Sequence, residues 1–308
     1  MQAVKPQMQD KSLIDSIISS AETVLIGKQH AIKLSIACIL ANGHLLINDL
    51  PGVGKTTLAN TLAKLFGFEF KRIQFTSDLL PADITGVSVY EQDKQAFQFH
   101  EGPLFAQMVL ADEINRASAK TQSALLEAME EHQVTVENQT YSLPSPYFVI
   151  ATQNPLEQAG TFPLPESQLD RFMLCIEIGY PDAEAEKRLL LDGDPRDNLS
   201  SLETIVTSSE FKELQTAASK VHVSDALIKY LQEIVAFTRN SPLFATGYSP
   251  RAAMAIVRAA KAWALLEGNR QVLPEDIQKI IPATVHHLRT KEQHSNIADT
   301  LLKQVAIP

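Results

Sequence analysis

The sequence has few cysteines, no long apolar run and a shortage of basic residues. Its two cysteines, Cys38 and Cys175, lie in apolar stretches, which favours buried thiols over a disulfide. The longest apolar runs, such as residues 36–41, are too short to cross a bilayer, and the N-terminal residues contain no apolar signal core. We therefore expect no membrane insertion and a cytoplasmic protein.

The charge balance restricts the classes of partner. Lys and Arg together number 27, against 36 Asp and Glu, which gives a formal net charge of -9. Nucleic acid is therefore a disfavoured partner, because its main attraction for proteins is phosphate neutralisation, although a local basic patch stays open. The adjacent His286 and His287 have no acidic or cysteine partner at metal-ligand spacing, so they predict no metal site.

The order of apolar patterns predicts two domains in the 308 residues. Residues 45–180 alternate strand-like runs with helical patterns, which is typical of an α/β fold with a parallel sheet. Five strands are predicted, over Leu45 to Asp49, Phe70 to Phe75, Met108 to Asp112, Tyr147 to Thr152 and Phe172 to Ile178. We place an α/β domain at residues 1–180, with two leading helices over Leu13 to Leu25 and His30 to Asn42.

After residue 181 the pattern predicts helices only, and thus an all-helical domain at residues 181–308. The predicted helices cover Ala183 to Asp192, Ser209 to Lys220, Ser224 to Asn240, Pro250 to Gly268, Pro274 to Leu288 and Lys291 to Lys303. The residues from Gly193 to Ser201, rich in Gly, Pro, Asp and Ser, are predicted to form a loop.

A phosphate-binding loop follows the first predicted strand and leads into a helix. The candidate nucleotide-binding residues of this loop are Pro51, Gly52, Val53, Gly54, Lys55, Thr56 and Thr57. The glycines allow backbone N–H groups to face phosphate oxygens, Lys55 brings a positive charge to the β and γ phosphates, and Thr56 can hold Mg²⁺. The strict motif has glycine where this chain has Asp49, which we interpret as a tolerated change at the strand exit. The alternative is a glycine-rich turn that binds no ligand.

Asp112 and Glu113 follow the apolar strand that ends about 50 residues after this loop. At the carboxyl end of a strand both side chains can reach the nucleotide. Asp112 is predicted to hold the Mg²⁺ shell, and Glu113 to orient and deprotonate the attacking water. On their own, two such acids are better explained as exposed loop residues; together with the phosphate loop they favour hydrolysis over transfer to a substrate.

Motifs along nearly the whole chain resemble the MoxR family of AAA+ ATPases, close to the RavA, magnesium chelatase and MCM branch. They are Val24 to Gly27, Pro51 to Thr57, Ala111 to Ala117, Ala151 to Pro155, Leu164 to Glu166, Leu169 to Phe172 and Ser249 to Arg251. The resemblance implies an αβα nucleotide domain with a helical lid, assembled as a homo-oligomeric, usually hexameric ring that uses ATP and returns ADP. It also implies two insertions. One is in the second helix at residues 79–103, with a hairpin around Glu91 to Phe99, and the other is a hairpin before sensor 1 at residues 131–145, which turns at Asn138-Gln139.

The resemblance also implies roles for single residues. Asn154 matches sensor 1, although Asn-Pro also begins ordinary turns. Arg171 matches the arginine finger that acts on a neighbour's nucleotide, with a surface pair between Asp170 and Arg171 as the alternative. Ser249 is a good N-cap and Pro250 a good first helical residue, which places Arg251 in the first turn of a lid helix. There Arg251 matches sensor 2, with an ordinary exposed helix arginine as the alternative, and whether it serves its own or a neighbouring nucleotide stays open.

Two further residue assignments are open at this stage. Arg116 is a second candidate for the subunit interface. Ile26 and Gly27 match the adenine side of the nucleotide site, although a hydrophobic turn between helices would look the same.

Three classes of function are compatible with these motifs. The first is an ATPase that remodels a protein client, in which case the resemblance points to a von Willebrand factor A domain protein as the partner. The second is a DNA-acting motor, which is disfavoured because residues 131–145 contain no Lys or Arg. The third is a nucleotide-gated scaffold without turnover, which does not explain why Glu113 and Arg171 are present.

Overall fold

The structure is a computed structural model that describes residues 4–155, 161–290 and 297–307. Its helices are α1 (Val4–Glu22), α2 (Gln29–Leu40), α3 (Lys55–Leu65), α4 (Pro81–Thr85), α5 (Ala119–Glu131), α6 (Glu166–Leu169), α7 (Ala183–Asp192), α8 (Ser208–Lys220), α9 (Asp225–Asn240), α10 (Pro250–Leu266), α11 (Pro274–Ile280) and α12 (Ile297–Gln304). Its strands are β1 (Leu45–Asn48), β2 (Phe70–Gln74), β3 (Gly86–Glu91), β4 (Ala96–Glu101), β5 (Met108–Asp112), β6 (Gln133–Val136), β7 (Gln139–Ser142), β8 (Phe148–Gln153), β9 (Leu174–Ile176), β10 (Phe244–Thr246) and β11 (Arg289–Thr290). No helix among these residues is both long and apolar enough to span a membrane.

A five-stranded parallel sheet forms the centre of the molecule, in the order β2-β5-β8-β1-β9. This confirms the α/β fold with five parallel strands. Every residue of β5 is buried, as expected for a central strand covered by helices on both faces. Because all five strands run the same way, their carboxyl ends meet at one edge, where β1, β5 and β8 deliver the residues of the predicted site.

Helix α3 follows β1 and packs one apolar face against the sheet. Its buried residues Leu58, Leu62 and Leu65 recur at helical spacing, and all are at most 1% exposed. Truncating one such leucine to alanine typically costs about 2–5 kcal/mol, because a cavity remains. Helix α3 is therefore fixed on the sheet by packing as well as by the loop that joins it to β1.

The two predicted insertions are both antiparallel hairpins, with small shifts from the predicted positions. Strands β3 and β4 pair over six residues each, so this hairpin is longer than the one predicted around Glu91 to Phe99. A Cβ on Gly86 would lie 2.3 Å from the carbonyl oxygen of His100, so the hairpin base requires glycine. The β6–β7 turn is formed by Glu137 and Asn138, both at positive φ, one residue before the predicted turn at Asn138-Gln139.

The C-terminal part is helical, but the expectation of helices alone is wrong. Strands β10 and β11 form a two-stranded antiparallel ladder, which is too short to produce a periodic pattern in the sequence. The predicted helix from Pro274 to Leu288 ends at Ile280 and continues as a 3-10 helix, because Pro282 cannot donate an α-helical hydrogen bond. A short 3-10 helix also occupies Pro195–Leu199 inside the predicted loop.

The last predicted helix, Lys291 to Lys303, begins outside the described residues, and α12 covers its later part. The division of the chain at residues 180 and 181 stays a proposal. In α10, Ile256, Ala260 and Ala264 recur at helical spacing and face the core, each at most 1% exposed.

Candidate functional site

A cavity of about 530 Å³ lies at the carboxyl edge of the central sheet. Its wall includes most of the predicted nucleotide-binding and catalytic residues, namely Ile26, Pro51, Gly52, Val53, Gly54, Lys55, Thr56, Thr57, Asp112, Glu113 and Asn154. Lys28, Arg72, Tyr180 and Pro181 also line it. The structure thus brings together residues from four separate sequence motifs.

The phosphate loop has the backbone shape that its glycines predict. Gly52 and Gly54 have φ angles of 85° and 100°, which other residues adopt only under strain. A Cβ on Gly52 would meet no atom within 4 Å, so the loop faces open space. Helix α3 begins at Lys55 directly after Gly54, and its first N–H groups are available to an anion.

Lys55 is 9% exposed and lies against the backbone of the loop. Its Nζ donates to the carbonyl oxygen of Asp49 at 2.6 Å and to that of Gln153 at 3.4 Å. A buried ammonium group that donates to neutral carbonyl oxygens would gain from an anionic partner. The position therefore suits phosphate binding by Lys55.

Asp112 ends β5, and its two carboxylate oxygens have different partners. Oδ1 accepts from the hydroxyl of Thr152 at 2.6 Å, while Oδ2 accepts from Nη2 of Arg72 at 2.7 Å. The carboxylate is thus fixed in orientation at the cavity wall. It can serve as an oxygen ligand for a hard cation, together with the hydroxyl of Thr56, which also lines the cavity.

Glu113 is the first residue after β5 and has a left-handed conformation, with φ 57° and ψ 48°. This costs on the order of 1 kcal/mol for a non-glycine residue. The conformation takes the chain out of the sheet, so both Asp112 and Glu113 line the cavity, as predicted. The Glu113 carboxylate accepts from Nε2 of Gln74 at 2.8 Å and pairs with Arg116 at 3.0 Å.

Three residues that hold the acidic pair were missed by the sequence analysis. Thr152 donates to Asp112 and accepts from the backbone N–H of Glu113 at 2.9 Å. Arg72 and Gln74 lie on β2, next to β5, with Gln74 in register with Asp112. The sequence could have indicated these three residues only if β2, β5 and β8 were known to be neighbours, because polar residues at the carboxyl ends of adjacent parallel strands lie close together.

Of Asn154 and the two residues of the predicted adenine side, Asn154 and Ile26 line the cavity and Gly27 does not. Asn154 follows β8, is 7% exposed and lines the cavity. Ile26 also lines it, but Gly27 does not. A Cβ on Gly27 would lie 2.8 Å from Cβ of Ala185, so this glycine allows the close approach of α7.

Arg171 and Arg251 lie outside the cavity wall and share one partner. Nε of Arg171 is 3.0 Å from Oε2 of Glu130, and Arg251 binds Oε1 of the same carboxylate. Arg251 is in the first turn of α10, which Ser249 caps by accepting from the N–H of Ala252 at 3.0 Å, as the sequence predicts. Glu130 was not predicted, and the sequence separations of 41 and 121 residues gave no local signal for it.

The alternative pair between Asp170 and Arg171 is not what the structure shows. Asp170 instead lies 2.9 Å from Nδ1 of His287 and accepts from the Ser249 hydroxyl at 3.2 Å. Burial raises the pKa of Asp170, but the contacts with His287 and Ser249 outweigh it, so the pKa is lowered. Arg171 therefore pairs with Glu130 and not with Asp170. The second interface candidate, Arg116, pairs with Glu113 of its own chain.

A phosphate loop at a helix N-terminus, faced by two carboxylates at the carboxyl edge of a parallel sheet, defines a P-loop nucleotide site. Residues 44–174 match the model of the ATPase family associated with various cellular activities (AAA), and residues 236–305 match that of the AAA lid domain.

Individual relatives extend the likeness to most of the chain. The uncharacterized protein YeaC of Bacillus subtilis is 46% identical over 89% of this chain and 86% of its own length. Chaperone MoxR1 of Mycobacterium tuberculosis is 36% identical over 96% of this chain and 80% of its own. A crystal structure from Cytophaga hutchinsonii, of a protein assigned as an ATPase, has 37% identity and a TM-score of 0.88, covering 99% of this chain and 98% of that one. The chain belongs to the MoxR family of AAA+ ATPases, and it is accordingly a nucleotide-binding P-loop enzyme.

Proposed function

We propose that this chain is one subunit of a homo-oligomeric ring of six that hydrolyses ATP with Mg²⁺ and thereby remodels a protein partner. One observation carries the proposal: Arg171 and Arg251 meet at Glu130, away from the cavity that holds Lys55 and Glu113. Charge-stabilising arginines outside their own nucleotide cavity are of use to the nucleotide of a second copy, as in heterologous ring contacts.

The nucleotide would be held mainly by the loop between β1 and α3. Lys55 and the first N–H groups of α3 bind the β and γ phosphates, and the open space at Gly52 leaves room for them. Ile26 and Gly27 belong to the adenine side in this proposal, with Gly27 acting through its contact with α7 rather than on the cavity wall.

The donors at the cavity wall fit Mg²⁺. The Thr56 hydroxyl and the Asp112 carboxylate are hard oxygen ligands, and Thr152 already fixes one oxygen of Asp112. When bound, the ion would neutralise phosphate charge and orient the phosphoryl group.

Glu113 is the proposed general base. Its carboxylate lies at the cavity wall, held by Gln74 and Arg116, where it can orient a water molecule and accept its proton. Asn154 lines the same cavity and would orient the same water. The neighbour supplies Arg171 and Arg251, which stabilise charge on the phosphoryl group as the bond to the leaving ADP breaks.

The exposed apolar residues of the β3–β4 hairpin favour a protein as the partner. Val87, Val89, Tyr90 and Phe97 on this hairpin are between 44% and 70% exposed. Such an apolar group fits a protein surface, while the hairpin's acids, Glu91 and Glu101 among them, oppose a phosphate backbone. A von Willebrand factor A domain protein is the proposed client, and a DNA-acting motor is the less favoured alternative.

Turnover of two variants tests the proposal against a scaffold without hydrolysis. Glu113→Gln should bind ATP with unchanged affinity but lose turnover by at least about 100-fold, because the proton acceptor is gone. Arg171→Ala should be less active than the wild type only at concentrations at which the wild type is assembled. An ATPase assay gives the activity, and mass photometry at the same concentrations gives the state of assembly. Glu127→Gln, an exposed carboxylate on α5, is the control. Unchanged turnover in both test variants would rule out these roles.

A further inference from the structure

The chain between the sheet and the first lid helix is held by two charged side chains. Oδ2 of Asp49 accepts from the backbone N–H groups of Ile178 at 2.6 Å and Gly179 at 2.7 Å. Nζ of Lys28 donates to the carbonyl oxygens of the same two residues, at 3.1 Å and 2.8 Å. We call residues 178 and 179 the junction. Both its donors and its acceptors are therefore bound by side chains from elsewhere in the chain.

Asp49 contacts the phosphate loop through different atoms. Its Oδ1 accepts from the N–H of Leu50 at 2.7 Å, and its backbone carbonyl oxygen accepts from Nζ of Lys55 at 2.6 Å. With 7% exposure, Asp49 lies between the loop and the junction. The interpretation of Asp49 as a tolerated change is thus incomplete, because a glycine at this position would have no carboxylate to hold the junction.

The junction leads directly into the nucleotide cavity and the lid. Tyr180 and Pro181, the next two residues, line the cavity. Asp182 then caps α7 by accepting from the N–H of Ala185 at 2.8 Å. A displacement of the junction would therefore move the start of the lid relative to the bound nucleotide.

We propose that Asp49 is a positioning residue that couples occupancy of the phosphate loop to the orientation of the lid. The proposal rests on the proposed function, since it requires nucleotide in this cavity. An anionic phosphate is a stronger partner for Lys55 than a neutral carbonyl oxygen. When Lys55 also binds phosphate, its bond to the carbonyl oxygen of Asp49 weakens, and the Asp49–Leu50 peptide group, whose N–H is held by the Asp49 carboxylate, shifts together with that carboxylate. The carboxylate of the same residue transmits that movement to Ile178 and Gly179.

Hydrogen exchange on the full chain, with and without ADP, tests the coupling. In the wild type, ADP should slow exchange at residues 176–192 by at least about fivefold, because the junction and α7 respond to the occupied loop. Asp49→Gly should keep ADP affinity within about threefold, since the strict phosphate-loop motif has glycine here, yet lose the ADP effect on the junction. Asp15→Asn, at an exposed site on α1, should behave as the wild type.

Asp49→Asn provides the second variant, in case glycine prevents folding. Its amide keeps one oxygen, but its NH₂ group would face the N–H donors of the junction or of Leu50. It should bind ADP and show the same loss of coupling. A wild-type exchange response in the folded Asp49 variants would overturn the proposal. Loss of folding in both would also overturn it, because Asp49 would then serve stability alone.

Lys55→Ala separates failure of this inference from failure of the proposed function. If the wild type does not bind ADP, or if Lys55→Ala binds it equally well, the nucleotide site itself is wrong. If the wild type binds ADP and Lys55→Ala does not, the site stands. In that case the hydrogen-exchange results of the Asp49 variants test only the coupling between the phosphate loop and the junction.

Discussion

Nε of Arg171 lies 3.0 Å from the carboxylate of Glu130, the same group that binds Arg251. The three residues come from the segment after α6, the end of α5 and the first turn of α10. Hydrogen bonding to Arg251 lowers the pKa of Glu130, against partial burial, so the group stays ionised. Glu130 thereby sets the spacing of two arginines that we assign to a neighbour's nucleotide.

Glu130→Gln should lower turnover by about 3- to 10-fold without changing ADP affinity, because the two arginines lose a charged anchor while the nucleotide cavity stays intact. ATPase assays and nucleotide titrations measure the two quantities separately. Glu131→Gln, the exposed next residue, is the matched control. Wild-type turnover in Glu130→Gln would show that the arginines need no such anchor.

Thr152→Val should destabilise the fold by about 1–3 kcal/mol, because it leaves Oδ1 of Asp112 and the N–H of Glu113 without their partner. Urea unfolding gives the free energy directly. The same change at Thr135, exposed on β6, should stay within about 0.5 kcal/mol of the wild type. Equal midpoints for Thr152→Val and the wild type would contradict the role of this hydroxyl.

The buried His44 predicts a loss of stability in mild acid. Its Nδ1 accepts from the N–H of Val149 at 3.0 Å, and Nε2 lies 3.1 Å from the carbonyl oxygen of Met129, an arrangement that suits the neutral ring. Burial lowers its pKa from 6.5 to about 4. The unfolded chain therefore binds the proton first, and stability falls as the pH drops from about 6.5 to about 4, by about 3 kcal/mol from this group.

Unfolding free energies at pH 7 and pH 4.5 measure this effect. His44→Gln should be less stable than the wild type at pH 7 but lose less stability on acidification. His100→Gln, at an exposed position on β4, should keep the wild-type pH dependence. If His44→Gln retains the full acid loss, other groups such as His286, whose pKa burial also lowers, carry the effect.

The sequence predicted features whose signal is local and repeated. The apolar run before Asp112 and the glycines around Lys55 each indicate one element and one site, and their order along the chain connects them. The limits of β9 were less predictable, because the apolar run from Phe172 to Ile178 continues past the last paired residue on both sides. Helical caps such as Ser249 with Pro250 were predictable for the same local reason.

Contacts between distant segments could not be predicted from the sequence. Arg72 and Gln74 lie on the edge strand β2, where exposed polar residues need no functional explanation until β5 is known to be the neighbour. The role of Glu130 depends on its contacts with Arg171 and Arg251, which are distant in the sequence. Asp49 looked like a defect in a motif because its partners are about 130 residues away, at the junction.

Mixing two inactive variants tests the central claim, that each nucleotide site is completed by a neighbour. Subunits with Glu113→Gln keep Arg171, and subunits with Arg171→Ala keep Glu113, so each variant alone should be nearly inactive. Random 1:1 assembly should restore about one quarter of wild-type ATPase activity, since one contact in four joins an intact Glu113 to a neighbour's intact Arg171. Activity of the mixture no higher than that of the two variants alone would contradict the account.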